Sequence, residues 1–265
     1  MSMSCARLRS AGFSLIEMAL VLAIVGFVLG GMMLTLSAQV TQHNIDETQN
    51  RLKQARDALL GFAIANGRLP CPATATSNGV ESPANGGTCT NVSGIYTGYL
   101  PAVTLGFQPV DSSGYAVDAW NNRIRYAVAQ TTLASTCTAS TSPPPFTSAT
   151  TLKANGVSCQ PSDLLVCESA SGISATSCGA ASNAVTNQDT VVAVVFSTGK
   201  DYTAMTSGNT DEQVNLKSGA YAGYPVFISH PPAPTGASGG EFDDQFEWIP
   251  IGLLYGRMTA AGVLP

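Results

Sequence analysis

From Met18 to Ala38 the chain reads MALVLAIVGFVLGGMMLTLSA, twenty-one residues without a charge. A helix needs about 20 such residues, at about 1.5 Å each, to cross a hydrocarbon layer of about 30 Å. The run is therefore read as a membrane anchor. Arg7 and Arg9 precede it, and the first charges after it are Asp46 and Glu47. Basic flanks stay in the cytoplasm, so the N-terminus is expected inside and the remainder of the chain exported. Beyond the anchor, 45% hydrophobic residues suffice for a packed core, whereas charged residues make up only 11%. That low charge disfavours a coiled coil or a charge-rich disordered chain. The net charge is −5 and no basic block occurs, so no nucleic-acid partner held through its phosphates is expected. The two histidines, His43 and His230, leave little for a histidine-rich metal site.

Three readings compete for the anchor. A secretory signal has an apolar region of about 7–15 residues followed by a small-residue cleavage site. Here the run is longer, and Leu36–Ala38 offers no clean A-x-A. A plain anchor leaves Glu17 unexplained, because a carboxylate inside an apolar span costs about 2.5–3.5 kcal/mol at the helix centre, less near an interface. The third reading accounts for both. Gly12-Phe13-Ser14-Leu15-Ile16-Glu17, behind a short basic leader and at the head of an apolar helix, resembles the type IV prepilin signature. The resemblance implies that a prepilin peptidase cuts between Gly12 and Phe13 on the cytoplasmic side and methylates the new N-terminus at Phe13. Glycine suits the cut, having no side chain to obstruct close approach of the backbone. Glu17 then pairs with the terminal amine of a neighbouring subunit and sets the register between helices.

The helical pattern continues past Ala38. Apolar positions Ile45, Leu52, Leu59 and Thr48, Ala55, Phe62 recur at spacings of three and four, opposite Glu47, Arg51, Lys53, Gln54 and Asp57. Asn66-Gly67 supplies a stop, and Leu69-Pro70 forces extended backbone. From Phe13 to Asn66 a straight helix would run about 80 Å. Gly26, Gly30 and Gly31 allow close helix packing or local melting, or are simply glycines of an ordinary membrane helix.

Processing also removes Cys5, leaving Cys71, Cys89, Cys137, Cys159, Cys167 and Cys178. An even set in an exported segment reads as disulfides, and no C-x-x-C suggests a redox or zinc site. Of the fifteen connectivities, sequential pairing (71–89, 137–159, 167–178) is taken. Within the head, RIRYAVAQ around Tyr126 reads as a half-buried strand, VVAVVFS (191–197) as a central strand, and Pro225–Ser229 as another. The stretch 131–187 is rich in Ser, Thr, Ala, Gly and Pro, and is expected to be cystine-stapled loop with little apolar burial. Trp248–Gly262 suits a terminal helix or buried segment. Leu100-Pro101, Thr104-Leu105-Gly106 and Asp118-Ala119-Trp120-Asn121-Asn122-Arg123 with Tyr126 resemble a pattern of the pseudopilins, which would have Gly at Asn121 and Pro at Asn122. Asp243–Trp248 and Leu254–Met258 resemble tails of some large pilin-like proteins.

Other chemistry is weighed and set aside. Gly236-Ala237-Ser238-Gly239-Gly240 matches G-x-S-x-G but lacks the flanking strand and helix of a nucleophile elbow, and His230 lies among prolines. Glu241, Asp243, Asp244 and Glu247 form an acidic cluster. Some secretion pseudopilins bind calcium through such a loop, which makes Asp243 and Asp244 calcium candidates; the reading preferred is a solvated acidic turn with no metal and no cofactor.

The expectation is a pilin-like α+β fold: a long N-terminal helix, membrane-spanning in its first half, packed on a small antiparallel sheet with disulfide-stapled loops. Residues 1–12 are the leader, 13–38 the transmembrane and filament-core helix, 39–66 an amphipathic helix, and 67–265 the periplasmic or extracellular head. The resemblance implies a structural subunit, minor rather than principal given its large head, of a type IV pilus or type II secretion pseudopilus, and not an enzyme. Its partners are the prepilin peptidase, other pilin or pseudopilin subunits, an inner-membrane assembly platform, and membrane lipid before assembly. The competing class is a binding protein or enzyme that uses the N-terminal segment only for anchoring or export.

Overall fold

The computed structural model describes residues 14–89, 96–137, 141–200, 210–234, 236–237 and 240–264, with the backbone alone across 29–38. The chain divides into two units, Met1–Asn44 and Ile45–Pro265. In chain order the helices are α1 (Leu15–Asn66), α2 (Ala102–Leu105), α3 (Ala149–Asn155), α4 (Thr210–Asn215) and α5 (Ile251–Ala260). The strands are β1 (Arg125–Val128), β2 (Leu165–Cys167), β3 (Val191–Ser197), β4 (Val226–Ile228) and β5 (Gln245–Pro250).

In the first unit the backbone stays helical through Gly26, Gly30 and Gly31, so the melting that these glycines would permit is not seen. Among the described residues no helix is long and apolar enough to cross a membrane. The span read from the sequence runs into residues 29–38, whose side chains lie outside the described set.

In the second unit the buried face of α1 is Thr48, Leu52, Ala55, Leu59 and Ala63, with Leu60 beside it. Ile45 and Phe62 are only half-buried and mark its edges. Hydrophobic burial at these spacings is what holds a helix on a sheet. The helix stops where Gly67 enters the left-handed conformation (φ +70°) and its N–H caps the Ala63 carbonyl at 2.8 Å. A side chain would strain that backbone.

The sheet against which this helix packs is three-stranded and antiparallel, in the order β1-β3-β5. Every residue of β3 is buried, as its uninterrupted apolar run requires of a middle strand. In β1 the expected half-buried alternation is replaced by burial of Tyr126, Ala127 and Val128 together, because both faces of the strand are covered. The third strand, β5, joins the end of the expected acidic turn, up to Glu247, to the start of the segment expected as a terminal helix or buried stretch, from Trp248. Within it Phe246 stacks on Phe196 of β3, ring centroids 4.9 Å apart and nearly parallel.

A second small sheet pairs β2 with β4 in parallel. Its β2 strand belongs to the stretch 131–187. That stretch buries Phe146, Leu152, Leu164 and Val166 completely, in the same core as α1 and the sheet. The expectation of little apolar burial there fails because a few large side chains, irregularly spaced, do the packing and leave no period to read. The disulfides join Cys71 to Cys89, Cys137 to Cys159 and Cys167 to Cys178, the sequential set.

The Asp118 turn shows why its residues occur together. One Asp118 carboxylate oxygen accepts the backbone N–H groups of Trp120 and Asn122, both at 2.8 Å, and the other accepts the Ser197 hydroxyl of β3 at 2.5 Å. Burial pushes this carboxyl above the usual range, opposed by those hydrogen bonds and by the Arg51 charge. Asn121 takes the left-handed conformation (φ +67°), which Asn adopts more readily than most side chains. The turn receives α1: Arg51 Nη1 donates to the carbonyls of Val117 (3.1 Å) and Asp118 (2.8 Å), and Ala119 N–H donates to Thr48 Oγ1 (3.1 Å). On the strand side Glu247 of β5 accepts from Gln49 Nε2 (2.9 Å) and Arg56 Nη1 (2.8 Å). Glu247 is thus a fastener for the helix rather than a member of an acidic turn.

Candidate processing and assembly site

The site is built from the first turn of α1. Ser14 stands just outside the helix and Glu17 three residues on, the S-x-x-E spacing of a capping box. The Ser14 N–H donates to Glu17 Oε2 at 2.9 Å, and the Glu17 N–H donates to Ser14 Oγ at 3.3 Å. Two N–H groups that a helix start would leave without partners are satisfied reciprocally. The carboxylate also sits at the positive end of the helix dipole, where a negative charge is favoured. Glu17 therefore has a partner on its own chain, a role the sequence reading missed although the spacing displays it.

Around this cap the helix surface is greasy and open. Leu15 is 93% exposed, Ile16 77% and Phe27 86%, with Met18, Leu20 and Leu22 also exposed. Isolated apolar residues on a surface need no explanation, but a continuous exposed set on one helix marks a face made for lipid or for other protein. Gly12 and Phe13, the two sides of the expected cut, lie outside the described residues.

Comparison with known families matches residues 7–33 to the prokaryotic N-terminal methylation motif. The match takes in Gly12, Phe13 and Glu17 together with most of the uncharged run. Neither the curated proteins nor the solved structures contain a match to this chain. The N-terminus carries a signal of the type IV pilin and pseudopilin kind.

The remaining candidates fall elsewhere. Asp243 and Asp244 are joined by Glu212 of α4, a carboxylate oxygen of each lying within 4.8 Å of the other two. Glu212 lies about thirty positions earlier, too far for any spacing in the acidic cluster to point to it. Calcium takes about six to eight oxygens, more than three carboxylates furnish singly. Hydrogen bonds also run through the cluster: Asp243 N–H to Glu212 Oε1 (3.3 Å), Asn215 Nδ2 to Asp244 Oδ2 (2.6 Å) and Lys200 N–H to Asp243 Oδ2 (2.8 Å). These tie α4 to the segment entering β5. His230 stacks on Phe242, ring centroids 3.8 Å apart, with Nε2 3.3 Å from Asp211 Oδ2. Ser238 lies outside the described residues, and His43 is exposed on α1.

Proposed function

We propose that the chain is a structural, non-catalytic subunit of a type IV pilus or type II secretion pseudopilus, and a minor one. The observation that carries this reading is the methylation motif over residues 7–33, placed at the head of a helix whose first turns expose a continuous apolar surface. In this reading the prepilin peptidase cuts after Gly12. Phe13 becomes the methylated N-terminus, and the helix moves from the inner membrane, head on the periplasmic side, into a filament core. Its neighbours there are other pilin or pseudopilin subunits, delivered by a membrane assembly platform. Glu17, capped by Ser14 in the single chain, exchanges that partner for the terminal amine of an adjacent subunit. The large head, with its stapled loops, supports a minor rather than a repeating position.

Mass spectrometry of the protein purified from its native host tests the reading. The expected N-terminus is N-methylated Phe13. A chain that begins beyond Ala38, or one that retains residues 1–12, would overturn it in favour of ordinary secretion or a plain anchor.

A further inference from the structure

The sheet of β2 and β4 has two strands, so one side of β4 is an edge, and among the described residues no strand pairs with that side. The ladder fixes which groups face it. Leu165 N–H donates to the Pro225 carbonyl (3.1 Å) and Ser229 N–H to the Cys167 carbonyl (2.9 Å). In a parallel pair alternate residues turn their N–H and C=O groups to the partner, so Pro225, Phe227 and Ser229 serve β2 while Val226 and Ile228 turn outward. Such an edge, in a strand as apolar as Val226-Phe227-Ile228, is a template for a further strand.

Two side chains from the end of α4 fill that place. The Ile228 N–H donates to Oδ1 of the buried Asn215 (2.7 Å), and Asn215 Nδ2 donates back to the Ile228 carbonyl (3.0 Å). A side-chain amide carries the donor and acceptor of a peptide group, so Asn215 bonds to Ile228 as a residue of an adjoining strand would. Nδ2 also donates to Asp244 Oδ2 (2.6 Å), which settles the orientation of the amide: turned over, its oxygen would face a carboxylate and a carbonyl. The Val226 carbonyl in turn accepts from Lys217 Nζ, which lies 3.5 Å from the centre of the Phe227 ring.

The edge also accounts for a lysine at an awkward position. Residue 217 follows α4 in a Schellman cap, with Ser218 N–H donating to the Gln213 carbonyl and Lys217 N–H to the Val214 carbonyl, both at 3.1 Å. Its backbone is left-handed (φ +57°), where glycine is the usual residue. A glycine would relieve the backbone and leave the Val226 carbonyl bare. Strain of this kind persists where something else requires the side chain.

We infer that Asn215 and Lys217 act as a surrogate strand, which keeps the β4 edge from pairing with the same edge of a second copy of this chain. The Ile228 N–H and the carbonyls of Val226 and Ile228, the groups a neighbouring β4 would need, are already engaged by buried side chains. A third strand would satisfy these groups as well but would present an open edge of its own, whereas two side chains end the ladder.

Amide hydrogen exchange and sedimentation of the full-length protein in detergent test this. In wild type the Ile228 amide is protected. Asn215→Ala speeds its exchange at least about tenfold in dilute protein, the worth of one lost hydrogen bond. Asn215→Ala combined with Lys217→Gly self-associates as concentration rises, at least about tenfold more strongly than wild type, and association slows Ile228 exchange again. Lys217→Gly alone, suited to the left-handed cap, folds and shifts association in the same direction. Three results would each overturn the inference: a wild-type Ile228 amide that exchanges as freely as an exposed one, a folded Lys217→Gly or double variant that sediments as wild type at every concentration, or association that leaves Ile228 exchange fast.

Discussion

Replacing Glu17 by glutamine removes a charge and keeps a hydrogen-bond acceptor in the same place, which separates two roles that alanine would abolish together. The cap consists of two bonds, Ser14 N–H to the Glu17 carboxylate at 2.9 Å and Glu17 N–H to Ser14 Oγ at 3.3 Å. Gln serves at this position of a capping box nearly as well as Glu. If capping were all that Glu17 does, Glu17→Gln would lose only the charge–dipole term, about 0.3–1 kcal/mol. Ser14→Ala instead removes the side-chain acceptor and should cost about 1 kcal/mol of helix start, roughly fivefold in its opening. On capping alone, then, Ser14→Ala is at least as harmful as Glu17→Gln. If the carboxylate neutralises a neighbour's terminal amine, the order reverses. Ser14→Ala then assembles with at most a severalfold deficit, while Glu17→Gln fails as Glu17→Ala does. Processing is followed by the loss of residues 1–12 on a gel, and assembly by the amount of subunit recovered in sheared filaments. Normal processing with filament recovery for Glu17→Gln equal to or above that of Ser14→Ala would refute the charge-pairing role.

Three further outcomes follow from the head. Arg68 and Glu81 form a buried bidentate pair, with bonds of 2.8 and 2.7 Å, and Glu81 also accepts the Cys71 N–H at 3.0 Å. Glu81→Gln strands the Arg68 charge and should cost about 3–5 kcal/mol in urea unfolding. Asp57→Asn, at the exposed Arg56–Asp57 contact, should cost under about 1 kcal/mol, and equal losses would contradict the burial argument. Asp163 accepts from Tyr96 OH (2.8 Å) and Gln130 N–H (2.7 Å), and burial pushes its carboxyl above the usual range. Its contribution is therefore fully present below the ordinary carboxylate value, about 3.9, and is lost as pH rises through the raised value. Asp163→Asn should gain on wild type as pH rises above about 4 in unfolding experiments; a constant gap between the two proteins would rule this out. Converting Cys71 and Cys89 to serine opens a loop of separation 18 and should cost about 3 kcal/mol under the chain-entropy account. A midpoint of unfolding unchanged from the oxidised parent would count against it.

Periodic features were the ones the sequence displayed. Leu52, Ala55 and Leu59 announce the buried face of α1 because helical spacing is a local property, and the run 191–197 reads as a middle strand because nothing polar interrupts it. In β5 an alternation of Phe246 and Trp248 with polar neighbours was present, but the surrounding acids drew it into a turn. Glu247 explains them in part, since its partners Gln49 and Arg56 lie almost two hundred positions earlier. Glu212 was hidden for the same reason, and the Arg68–Glu81 pair, 13 positions apart across irregular chain, follows no helical or strand period that could be read. The N-terminal site was legible in outline, because leader, cut, acid and apolar run are contiguous. What escaped notice there was the cap, since Ser14 was read only as a letter of the processing signal.

The cross-links at 71–89, 137–159 and 167–178 neither nest nor overlap. A chain emerging from one end, Cys71 first, thus never holds more than one unmatched thiol at a time, and the correct mate is always the next to appear. Oxidation in step with emergence yields the native set without any swapping of partners. A head of this size can thereby be locked piece by piece, each staple closed before the next segment arrives.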